Sequence, residues 1–149
     1  MKRIVIAKVL MTLVLVGGSV LSFVLDWSPN HLMNPLWNPH ARFHGALLLF
    51  LLGGVSMTAT WLLWRRSKEP EIAFVVAAAV SIAYWTPLFY IPLILPSSTW
   101  WAGKPGAEPH IGGMMFYPNL AVAGIFLLIT IVAYRLAKTG LADTEKLAS

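Results

Sequence analysis

Apolar residues in this chain gather in four long stretches, about Ile4 to Leu25, Phe43 to Trp64, Ile72 to Leu95 and Leu120 to Leu136. Each is close to the roughly 20 residues that carry an α-helix across a bilayer. The pattern predicts an all-α integral membrane protein, a single four-transmembrane-helix domain over residues 1–149. Lys2 and Arg3 ahead of the first stretch resemble the start of a signal peptide. That core is too long, however, and ends in Asp26-Trp27 without a small-residue cleavage site, so it reads as a retained helix.

The polar positions between the stretches set an expected orientation. Lys2, Arg3 and Lys8 flank the first helix, Arg65, Arg66 and Lys68 fill the short second connection, and Arg135, Lys138 and Lys146 follow the fourth. The two longer connections hold only Arg42 and Lys104. This asymmetry places both termini in the cytoplasm and both long loops outside, as expected in a bacterial inner membrane. The tail Leu141 to Ser149 reads as a frayed end. The first long loop, about Asp26 to Arg42, carries Pro29, Pro35 and Pro39, while the second, about Pro96 to Pro118, carries Pro105, Pro109 and Trp100-Trp101. Prolines hold backbone in turns and Trp favours the headgroup level, so the loops are expected to form a structured lid. Gly17-Gly18, Gly53-Gly54 and Ala77-Ala78-Ala79 mark expected close helix contacts. Pro87 and Pro92 should break or kink the third helix and free carbonyls that need partners.

Composition agrees with the pattern. Of 149 residues 58% are hydrophobic and 11% charged, where a soluble domain carries about 25% charged. Mean hydropathy is +0.71. The net charge of +5 suggests nucleic acid at first sight. The cations sit beside apolar spans rather than on one solvated face, so no nucleic-acid partner is expected and membrane lipid is. With no cysteine, thiol catalysis, disulfides and thiolate metal sites are excluded. No phosphate-binding Gly-rich loop, nucleophile elbow or HExxH is present, and no carboxylate sits mid-span, which argues against proton-coupled transport.

Chemistry concentrates in Asn34-Pro35-Leu36-Trp37-Asn38-Pro39-His40-Ala41-Arg42-Phe43-His44-Gly45. His40 and His44 stand four apart and share a face if the second helix starts early enough. His44 suits an axial haem ligand or, more simply, a histidine bonded to a loop carbonyl. His40 would complete a non-haem site for zinc, copper or iron, with Asp26, His31, Glu108 and His110 as further ligands, or would simply lock the loop. Arg42 pairs with a cofactor propionate, an anionic lipid or Asp26. Tyr84, Tyr90 and Tyr117 offer hydroxyls to a substrate, and Asn119 either caps the fourth helix or points into a pocket.

The signature Asn34-Pro35-x-Trp37-x-Pro39-His40-Ala41-Arg42-Phe43-His44 resembles an uncharacterised family of small four-helix membrane proteins of bacteria and fungi. More distantly, the chain is similar to styrene oxide isomerase, a haem b membrane enzyme that converts epoxides to carbonyl compounds. That resemblance covers the four-span layout and, at residue level, Ala41-Arg42-x-His44 and Phe89-Tyr90. It implies haem b on His44 and Tyr90 as the catalytic hydroxyl on the epoxide oxygen; the bundle is also expected to form a homo-oligomer, a trimer among the forms expected. Phe50 stands where that family has a substrate-holding asparagine, and Ile82 falls near its third-helix aspartate. The expected function is a haem-dependent isomerase of small hydrophobic epoxides or related lipophilic substrates. The competing expectations are a non-catalytic binder of a lipid or hydrophobic ligand, and a non-haem metal site on His40 and His44.

Overall fold

A computed structural model describes residues 2–96, 98–101 and 106–148; Lys104 and Pro105 of the second long loop lie outside the described residues. Helix α1 spans Lys2–Asp26, with one π-helical turn at Leu13–Gly17. Helix α2 is Pro39–Trp64, α3 Pro70–Trp85, α4 Pro87–Ile94 and α5 Pro118–Ala148. A two-stranded antiparallel hairpin, β1 His110–Ile111 and β2 Met114–Met115, precedes α5. Four helical spans are therefore long and apolar enough to cross a membrane, the third being α3 and α4 in series.

These spans form a bundle in which α1 lies along α5, α5 along α3, α3 along α2, and α2 back against α1. Alanines make the contacts: Ala7, Ala59, Ala73, Ala77, Ala133 and Ala137 are all buried beside Met11, Leu63 and Phe74. Small side chains let helix backbones approach where apolar burial alone gives lipid-exposed helices no reason to associate. Of the expected glycine contacts, Gly18 takes the Trp85 ring, and a Cβ there would fall 2.8 Å from Trp85 Cζ2. Gly53 meets Phe23 at ordinary distance, while Gly17 and Gly54 meet no other element among the described residues. Ala77 and Ala78 are buried but Ala79 is exposed. Mid-bundle, the Ser81 and Thr130 hydroxyls share a 2.6 Å hydrogen bond between α3 and α5.

One end of the bundle, the basic end, gathers the start of α1, the end of α5 and the Arg65–Lys68 connection. Arg3 reaches Asp143 at 2.9 Å, Lys8 sits over the Trp64 ring and Arg65 over Trp61. The tail expected to fray is helical to Ala148. Leu141 packs on the core, and Gly140 is buried against Ile4. The apolar run stops at Leu136 because charged residues follow, although the inner face of the helix continues.

The other end carries the long connections and is the loop end. Helix α2 starts at Pro39 rather than at Phe43, because the Asn38 side chain accepts the His40 N–H and Pro39 occupies the first helical position. The break expected at Pro87 separates α3 from α4 at Thr86. Pro92 stays inside α4, but it has no N–H for the Leu88 carbonyl one turn back. The Trp100 indole N–H donates to that carbonyl at 2.7 Å. A proline-vacated acceptor thus fastens the second loop to the bundle. The hairpin was not expected; Gly112 and Gly113, at φ 58 and 83, supply the left-handed backbone of its two-residue turn.

Candidate functional site

A cavity of about 460 Å³ opens at the loop end between α1, the α3–α4 junction, α5 and both loops. Its deeper wall is apolar, from Leu21, Leu25, Leu88 and Val122, and ends on Trp85. Trp85 is held by Gly18 beneath it and by Phe126, whose ring lies 4.9 Å away centre to centre. The π-helical turn sits immediately before Gly18, and such turns rotate the residues that follow relative to a regular helix.

Polar groups converge on this apolar space. The Tyr84 hydroxyl donates to Ser22 Oγ at 2.8 Å, and the Ser22 O–H, with no acceptor among the described residues, can donate in turn. Asp26 lies at the last turn of α1, and its carboxylate is 3.8 Å from His31 Nε2. The other ring nitrogen, His31 Nδ1, is buried with no hydrogen-bond partner among the described residues. Asn119 bonds the Trp100 carbonyl through its side-chain amide and the Leu120 N–H through its oxygen, so it serves both the cap and the cavity wall. Trp100 and Trp101 complete the lining.

The first loop folds back to make this possible. Leu32 N–H donates to Asp26 O, and His31 and Met33 N–H groups both donate to Ser28 O. Arg42 turns inward and donates Nε–H to the Leu32 carbonyl at 2.6 Å. Leu32 itself is buried, and Gly45 leaves the room it needs: a Cβ there would lie 2.7 Å from Leu32 Cδ2. Arg42 therefore ties the loop through a carbonyl, while Asp26 faces His31. Arg42→Ala is expected to cost about 2 kcal/mol, the worth of a charged hydrogen bond to a half-buried carbonyl. Amide hydrogen exchange should accelerate over residues 28–33, with the spans unchanged.

His40 and His44 do come together, Nε2 to Nε2 at 3.1 Å, but on the outward face of α2. Neither lines the cavity, and among the described residues no third His, Asp or Glu joins them. Glu108 and His110 stand apart from the pair in the second loop and hairpin, and Tyr90 is 44% exposed on α4, away from the cavity. The haem fit follows from these positions. His44 offers the right donor atom, yet a single chain builds no pocket around it. A porphyrin there would lie on the outer surface of α2 and displace His40, with the Arg42 Nε–H already committed to Leu32. The residues of one chain do not fit the group.

The family model that matches this sequence covers residues 10–143, from the first span through the fourth. The chain belongs to the family of unknown function DUF6640. No curated protein and no solved structure matches it, so the likeness of this DUF6640 member to styrene oxide isomerase gains no support from them. Sequence spacing points to Asp26 and His31 only as remote metal ligands. Their meeting with Tyr84 and Ser22 depends on the loop folding back, which no spacing in the sequence signals.

Proposed function

We propose that this DUF6640 protein is an integral membrane protein with the basic end cytoplasmic, and that its loop-end cavity binds a small lipophilic molecule bearing one hydroxyl or amine. The observation that carries this reading is the cavity itself: about 460 Å³, within the range of ordinary small-molecule sites, with apolar walls and a few convergent polar groups. Asp26 accepts the ligand's donor, the Ser22 O–H serves its acceptor, and Leu21, Leu25, Leu88 and Val122 receive its apolar body. Trp100 and Trp101 line the cavity from the second loop. Lipophilic molecules concentrate in the bilayer, which gives a site at membrane depth a ready supply.

Haem-dependent epoxide isomerisation would require the iron ligand to face the same ligand, and His44 stands outside this cavity. A ligand class is therefore proposed, and no reaction.

The test is a titration of the purified, detergent-solubilised protein with 1-aminoanthracene, an amine on a flat apolar body whose emission rises in dry surroundings. One saturable site per chain is expected. Asp26→Asn should weaken binding about tenfold, the loss of a charge-assisted hydrogen bond. Leu88→Trp, which fills the cavity, should abolish saturable binding. Equal uptake by the wild type and Leu88→Trp would mean that the dye sits in the micelle or elsewhere, and the reading would be lost.

A further inference from the structure

We infer that His40 and His44 form a two-imidazole chelate for a divalent transition-metal ion such as Cu²⁺, Ni²⁺ or Zn²⁺. The site is separate from the cavity and independent of its ligand.

The geometry starts with the helix cap. Asn38 and Pro39 fix the first turn of α2, so His40 and His44 fall within regular helix four residues apart. That spacing stacks side chains on one face, and it is the spacing by which two helical histidines grip one zinc ion in metalloproteases. Here the two Nε2 atoms stand 3.1 Å apart with their rings crossed at 86°. Two imidazoles at about 2.1 Å from one ion, subtending about 95°, have nitrogens about 3.1 Å apart. The ion can thus enter with the nitrogens close to where they already are.

The rings are also braced and uncommitted. His40 stacks on Phe43 with planes 10° apart, and His44 meets the edge of the same ring. Among the described residues each Nε2 has only the other as hydrogen-bond partner. Without metal, one ring's Nε2–H donates to the other's lone pair. With metal, the donating ring carries its proton on Nδ1 and both Nε2 lone pairs bind the ion, so no proton is gained or lost. Both rings are exposed, so the remaining coordination positions stay open. An ion of this size fits where a porphyrin does not, because it needs two nitrogens and no walls. Imidazole donors without thiolate or carboxylate favour Cu²⁺ over Ni²⁺ and Zn²⁺.

The full chain, in detergent and freed of any affinity tag, would be titrated calorimetrically with each chloride salt. Saturable one-to-one binding is expected, tightest for Cu²⁺. It should be lost in His40→Ala and in His44→Ala and retained in His110→Ala, which changes an exposed hairpin histidine. Circular dichroism would establish that each variant keeps its helices; both α2 changes are on an exposed face. The proposal is overturned if no saturable binding occurs. It is equally overturned if either single variant binds as the wild type does, because one imidazole then suffices. Dye binding in the cavity should be unaffected by both variants, so this result and the cavity result fail or succeed separately.

Discussion

Gly140→Leu is expected to destabilise the bundle by about 3 kcal/mol, at the severe end of overpacking changes. A Cβ at this buried position would lie 2.8 Å from Ile4 Cγ1 and 3.3 Å from the Ile4 backbone nitrogen. The first contact is with a side chain that can rotate away. The second is with backbone, so relief requires α1 and α5 to separate at the basic end, where α1 makes its most extensive contact. Moving them would strip Arg3 from Asp143, although that exposed pair adds little on its own. Gly140→Ala should cost about 1 kcal/mol or less, since helix propensity offsets part of the crowding. Gly54 is the control. No described residue of a neighbouring element lies within 4 Å of its Cβ position, so Gly54→Ala should be neutral or stabilising by about 0.5 kcal/mol. Thermal unfolding of the solubilised protein, followed by helical circular dichroism, ranks the three. If Gly140→Leu melted with the wild type, the close α1–α5 approach would be wrong.

The two glycines also illustrate what the sequence does and does not carry. Gly54 lies inside an apolar run, and Gly140 stands beyond one, beside Lys138, Thr139 and Asp143, yet Gly140 is the buried one; the packing partner decides, not the local sequence. The spans were legible because four apolar runs of bilayer length, with charges confined to their flanks, are hard to bury in any water-soluble fold of this size. Their ends were not. Helix α2 begins with Asn38-Pro39, a polar cap outside the apolar run, and α5 continues past Leu136 through charged residues, of which Asp143 pairs with Arg3 on α1. The hairpin strands are two residues long, too short for any periodicity to register, although Gly112-Gly113 is a turn signal.

The candidate site divides in the same way. That Pro92 would free a carbonyl followed from its chemistry alone, but that Trp100 would take the Leu88 oxygen needed the loop's path. The His40–His44 pairing was legible from spacing once the helix start was known. The Asp26–His31–Tyr84–Ser22 grouping was not, because it joins residues from one helix end, one loop and another helix. Local spacing finds pairs on one element; a cavity is a property of several.

Trp85→Ala should have the largest effect on the cavity. It is expected to lower stability by about 3 kcal/mol, the lower end for removing a buried indole, since helices in an apolar solvent lose packing contacts but little hydrophobic drive. Trp85 divides the cavity from a void of about 10 Å³ beneath it, which Ser19, Ser56 and Ser81 line. The Ser56 hydroxyl there is buried and has no partner among the described residues. Removing the indole joins the two spaces, so ligands can extend toward the bundle centre and meet that hydroxyl. The wild type should therefore stop gaining affinity along a series of linear primary alcohols once the chain reaches Trp85. The variant should keep gaining, by about fourfold for each further methylene buried. Displacement of 1-aminoanthracene by alcohols of increasing length reads this directly. An identical length limit in a folded Trp85→Ala protein would show that the indole is not the floor of the site.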